Sequence, residues 1–357
     1  MSNSTNINQL LAYLQSVMQK PLIVDEEAIA KAYQKSREKQ SLAIKVLSIF
    51  GGILASLAFL GFLMMTGLYD SKVGLTLFGF VFIAGVLLTS KAYDKIIIDT
   101  FNVSFFIIGL TMIGFGLEKL RMSDESLSII FFFIALISLS IVRNYILSFI
   151  AVLLAGGSIL ALIISSNSDN LVNAYVASMA ILMSYFILNE AKLIVQSKTT
   201  SKLYEPVRIG LVFSFLFGLI ILGKRDLLPL SKDFIWLSGT VVVCIIVYTL
   251  ANVVEVLHIH ERKQKLYVYV ISILVLIPTL LAPAVSGALL ILLLCFLVNY
   301  KTGFAIGVIS LIYFIGQYYY DLHFTLLTKS ILLFSSGMLF VVLYLLLHRK
   351  LTNDEKI

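Results

Sequence analysis

Between Gln317 and Gly337 the chain reads QYYYDLHFTLLTKSILLFSSG. This sets an acid, an imidazole and an amine (Asp321, His323 and Lys329) between two long apolar segments. Such groups can pair with one another, move a proton or hold an anion. Lys329 stands apart, because it lies about five residues, roughly 7.5 Å, inside the start of the last apolar segment. It is also near the N-terminal, positive end of the helix expected there, where a cation is disfavoured. A long side chain lowers that cost by reaching back toward the surface, and a negative partner offsets more of it. Lipid phosphate, Asp321 across the turn, a bound anion or a partner's carboxylate would each serve. Tyr318, Tyr319 and Tyr320 supply the aromatic rings expected at a membrane rim.

Other candidates are weaker. Glu255 and His258, in NVVEVLHIHERK, share one helical face. A carboxylate-bridged metal site built on Glu-x-x-His needs a second such pair, and the chain has none. The two alternatives are a helix end whose polar groups reach water and a proton-linked role. Pro278 and Pro283, in LIPTLLAPAVSG, are two of five prolines. Proline removes a helix hydrogen bond, so the pair marks either a turn between spans or a broken helix lining a cavity. Gly303 and Gly307 have the spacing that lets two helices approach closely. The phosphate-binding glycine loop, HExxH and GxSxG are absent, and no metal or cofactor is expected.

The elements that must position these groups follow from composition. Of 357 residues 59% are hydrophobic and only 13% charged, against about 25% charged in soluble domains, and the mean hydropathy is +0.98. The expectation is an all-α polytopic membrane protein. About twelve apolar segments are long enough to be spans: 42–66, 73–90, 97–117, 126–142, 145–165, 170–190, 207–223, 235–257, 266–283, 285–300, 302–320 and 324–348. With both termini in the cytoplasm, twenty of the 27 Lys and Arg fall on the inner side, as the positive-inside rule requires. The net charge of +7 then needs no nucleic-acid partner. Residues 1–41 read as a cytosolic amphipathic helical hairpin, 42–348 as the transmembrane domain and 349–357 as a cytosolic tail. No cleavable signal peptide is expected. Cys244 and Cys295 read as small buried apolar residues.

The C-terminal pattern also carries a resemblance. Gly303, Phe304, Gly307, Tyr318 to Tyr320, Leu322, Thr325, Leu326, Leu327, Lys329, Ser330 and Gly337, with SIFGGILASLAFLGFL near the start, resemble a bacterial family of multi-pass membrane proteins. That family is catalogued as a domain of unknown function (DUF4401-like). The resemblance implies a bacterial inner-membrane location and a membrane-anchored partner of the GDYXXLXY type. It includes Lys329, Ser330 and Thr325 and does not extend to Asp321. It brings no activity with it.

The combined expectation is a non-enzymatic component of a membrane complex, with an outer-face docking or anion site at Lys329, Ser330, Thr325 and the three tyrosines. A secondary transporter, suggested by a six-plus-six layout about the polar stretch 191–206, is the alternative. A membrane enzyme acting on a lipid-linked substrate is the third, disfavoured by the lack of an outer acid pair.

Overall fold

The computed structural model describes residues 42–321 other than 66, 68–69, 93–95, 143, 197, 225–234 and 257–261. Beyond these it describes only 327, 330, 331, 334, 338 and 341. The expected N-terminal hairpin and C-terminal tail, and most of the last expected span, lie outside the described residues.

Every described element is helical. In chain order they are α1 (Leu42–Met65), α2 (Lys72–Ala92), α3 (Ile96–Lys119), α4 (Asp124–Ile141), α5 (Tyr145–Ser165), α6 (Leu171–Leu188), the short α7 (Glu190–Gln196), α8 (Lys198–Gly223), α9 (Ile235–Val256), α10 (Arg262–Leu276), a 3₁₀ turn (Ile277–Leu281), α11 (Pro283–Leu297) and α12 (Lys301–Asp321). Among the described residues eight helices are long and apolar enough to cross a membrane. These fit a multi-pass membrane protein, whereas the count of twelve is not established. At 15 residues, α11 covers only about 22 Å of the ~30 Å hydrocarbon layer.

Two boundaries differ from expectation. The seventh expected span, 207–223, belongs to a helix that begins at Lys198 and runs through Pro206. Proline costs that helix one backbone hydrogen bond, but the polar turns before it remain helical. The ninth expected span ends early: α10 stops at Leu276, the 3₁₀ turn holds Pro278, and Pro283 opens α11 in its first turn. There the missing N–H costs nothing. Pro278 thus lies in the connection and Pro283 where the connection meets α11.

Local chemistry closes the hairpins. Three helices end with a residue in the left-handed region: Arg121, Asn167 and Asn299. Each end makes the paired bonds of a Schellman turn. After α11, Asn299 N–H donates to Phe296 O at 3.1 Å and Tyr300 N–H to Cys295 O at 2.8 Å. Asn suits that conformation better than Arg. Asn144 caps α5 by accepting from Ile146 N–H at 2.8 Å.

Packing relies on small residues, as expected where lipid supplies no hydrophobic drive between helices. On α2 and α3 the backbones nearly touch: a Cβ on Gly109 would lie 3.0 Å from Gly79 O. Phe82 and Phe105 stack beside this crossing at 5.4 Å. The larger core joins α5, α6, α8, α9 and α11, with Met183, Ile187, Phe215, Leu219, Leu290, Ile291 and Leu294 fully buried. Gly307 faces Leu292 of α11, whose backbone a Cβ would approach to 3.1 Å. The Gly303–Gly307 pair therefore serves packing inside the chain. Cys295 is buried as expected, whereas Cys244 is exposed, because it sits on the outward face of α9.

Candidate functional site

Two polar places stand at opposite ends of the bundle. The first lies where α12 finishes. Tyr318 and Tyr320 are exposed and Tyr319 is half-buried, with the Tyr319 and Tyr320 rings edge to face at 5.7 Å. One turn back, the Gln317 amide is buried, and neither its nitrogen nor its oxygen has a hydrogen-bond partner among the described residues. It sits where three helices meet, because a Cβ on Gly223 of α8 would lie 3.4 Å from Ala284 Cβ of α11 and 3.5 Å from Gln317 Oε1. A buried unsatisfied amide costs about 1–3 kcal/mol.

Ser330 is helical and exposed. Lys329 and Thr325 lie outside the described residues, as do His323 and His258. Asp321 closes α12. Glu255 is exposed at the end of α9, and Pro283 is buried at the start of α11. The structure therefore gathers the three tyrosines at one rim with Pro283 and Gln317 near the same end. Glu255 is on another element, at the end of α9.

The second place was not anticipated. Arg208, at the start of the apolar part of α8, is a charged side chain only 9% exposed. Its guanidinium lies 3.9 Å from the centre of the Tyr300 ring and 5.1 Å from that of Tyr204. Nη1 reaches Glu190 Oε2 at 3.4 Å, while Nε has no partner among the described residues. Each neighbour is placed by local structure. Glu190 opens α7 directly after Asn189, the C-cap of α6. Tyr300 is fixed by the Schellman turn after α11. Tyr204 donates its hydroxyl to Phe186 O at 3.2 Å, tying α8 to α6. Burial pushes the Tyr300 phenol above its ordinary value, with the nearby guanidinium pulling it down.

This arrangement stabilises a cation by ring faces and one long ion pair, and desolvated cation–π contacts are worth about 2 kcal/mol. The sequence signal was slight: an Arg two residues after a Pro, at the mouth of an apolar run.

Beside this cluster a half-open groove of about 550 Å³ runs between the C-terminal parts of α6, α9 and α11, with Ser184, Asn189, Asn252 and Val298 among its walls. Its volume is within the usual range of small-molecule sites.

Long apolar helices, small-residue crossings and polar groups held at helix ends define a polytopic helical membrane protein. The chain belongs to the family described as Domain of unknown function (DUF4401), and the match covers residues 41–350, well beyond the C-terminal pattern that first suggested it. No curated protein and no solved structure matches the chain.

Proposed function

We propose that the protein is a non-enzymatic integral component of a bacterial inner-membrane complex, and that the rim at the end of α12 docks a second membrane-anchored protein. The observation that carries this reading is the buried Gln317 amide, which has no partner among the described residues, next to the exposed Tyr318 and Tyr320 at the end of α12. A partner strand or side chain that hydrogen-bonds the amide and stacks on the rings would satisfy both, since tyrosine is a favoured residue at interface centres. Lys329, Thr325 and Ser330 belong to the same site, with Lys329 supplying the charge that meets a carboxylate or phosphate. The basic bias of the opposite loops supports an outer-face position for this rim. A GDYXXLXY-type protein is the partner that the family resemblance implies.

The apolar packing through α5, α6, α8, α9 and α11 supports a scaffold in preference to a transport path along that core. The experiment is Lys329→Met and, separately, Gln317→Leu in the full chain, purified from native membranes. Both substitutions should remove a co-purifying membrane-anchored protein. An unchanged set of co-purifying proteins and lipids in both variants overturns the site.

A further inference from the structure

The groove between α6, α9 and α11 has features that the docking rim does not explain. The Asn173–Ser238 hydrogen bond, 2.8 Å long near the N-terminal ends of α6 and α9, sets these helices parallel. The groove lies toward their C-terminal ends. Its deeper walls are apolar, with Ile181 on α6 and Ile245 on α9. Its mouth is polar, with Asn189 and Asn252. Asn189 donates one amide hydrogen to Tyr185 O at 3.0 Å, so its other N–H and its carbonyl are what it offers. Asn252 makes no hydrogen bond among the described residues.

Between these zones lies Ser184. It is 5% exposed, and its hydroxyl has no partner among the described residues. Helical serines in this chain commonly satisfy themselves on the carbonyl four residues back, as Ser56, Ser158 and Ser310 do. Ser184 does not. Ser138, Ser148 and Ser214 also lack partners among the described residues, but Ser184 lines an open groove. A buried hydroxyl without a partner is unusual, and Ser184 is one whose residue also lines a groove.

The occupant must be apolar at one end, polar at the other, and must present an acceptor between them. Ser184 lies about 7.5 Å along the helix from Asn189. Side chains that open the groove to the outside include Ile181, Tyr185, Tyr248 and Val256, so it faces the lipid. No charged side chain lines it, so recognition does not depend on headgroup charge.

We infer that this groove is a binding site for one ester-linked chain of a membrane glycerolipid. The acyl chain lies against Ile181 and Ile245, the ester carbonyl accepts the Ser184 hydroxyl, and the headgroup meets Asn189 and Asn252. The inference is independent of the docking rim.

The test uses the full chain in detergent micelles, exchanged against dioleoyl phosphatidylethanolamine and its diether analogue, with retained lipid counted by native mass spectrometry. The diether has the same chains and headgroup but no carbonyl. The wild type should retain the ester lipid over the diether by about fivefold, the worth of one hydrogen bond. Ser184→Ala should bring that ratio close to one. Ile245→Trp, which fills the apolar end, should remove most of the retained lipid of either kind. Equal retention of the two lipids by the wild type overturns the site, and so does an ester preference that survives in Ser184→Ala. Retention unchanged in a folded Ile245→Trp would mean non-specific annular lipid only. If Ile245→Trp does not fold, the ester–ether contrast between wild type and Ser184→Ala decides alone.

Discussion

Gly156 and Gly157 are neighbours on α5, and the structure assigns them opposite responses to the same substitution. A Cβ on Gly156 would lie 2.6 Å from Ser214 Oγ, 2.9 Å from Ser214 Cβ and 3.0 Å from Tyr175 Oη. The hydroxyl can rotate away, but Ser214 Cβ is fixed to the backbone of α8. Gly156→Ala must therefore push α5 and α8 apart by several tenths of an ångström. Overpacking of this kind costs about 1–3 kcal/mol. It also disturbs the bond from Tyr175 Oη to Ser214 O, 3.1 Å long, worth about 1 kcal/mol. Alanine returns about 1 kcal/mol of helix propensity, so the net loss is about 1–3 kcal/mol. At Gly157 nothing lies within 4 Å of the added carbon. Only the propensity term applies there, and Gly157→Ala should be neutral or stabilising by up to about 1 kcal/mol. The assay is reversible SDS unfolding in mixed micelles. A double-mutant cycle of Gly156→Ala with Ser214→Gly isolates the contact and should show coupling of about 1–2 kcal/mol, because the smaller residue opens the space. Equal effects at the two glycines, or an absent coupling, would refute the close approach of α5 and α8.

Arg208→Met should destabilise the protein by about 2 kcal/mol through loss of the ring contacts. Glu190→Gln should cost under about 1 kcal/mol, since Glu190 is 33% exposed and such pairs are weak; the same unfolding assay would reverse this order if the ion pair held the cluster. An apolar maleimide should label Cys244 in the folded protein and Cys295 only after denaturation, read by intact mass, because Cys295 is packed against Gly303 and Tyr300. Gly307→Leu should destabilise by about 1–3 kcal/mol by overpacking against α11. It should leave the oligomeric state unchanged in light scattering, since that face is already occupied within the chain.

The apolar segments from 42 to 320 were legible because a spanning backbone must satisfy its hydrogen bonds within its own segment, so hydropathy and helix coincide. Hydropathy is blind to helix that continues into water. The turns from Lys198 to Pro206 are polar, and the proline reads as a stop, yet α8 includes them. The prolines at 278 and 283 were legible as a break because both fit a connection. Arg208 was not legible as a site. Glu190 is 18 positions away and Tyr300 is 92, so only the fold shows that the cation has a carboxylate and two ring faces. Alone in the sequence it counted as one more inner-side charge. Cys244 shows a related limit: an apolar run does not say which of its faces is buried.

Within the larger core, polar contacts that cross between the described helices converge on α6. Asn173 binds Ser238 of α9, Tyr175 binds Ser214 of α8, and Phe186 O receives Tyr204 of α8. Just past its end, Glu190 meets Arg208. Between apolar helices in lipid, burial does not choose partners, because lipid is as apolar as another helix; small-residue fit and hydrogen bonds choose them. Four of these choices made on or just past one helix fix its rotation and depth against α8 and α9. The same rotation sets Ser184, 11 residues after Asn173, on nearly the same side of α6, where it is buried. Its hydroxyl has no partner among the described residues, and it lines the groove in which an external acceptor is proposed to meet it.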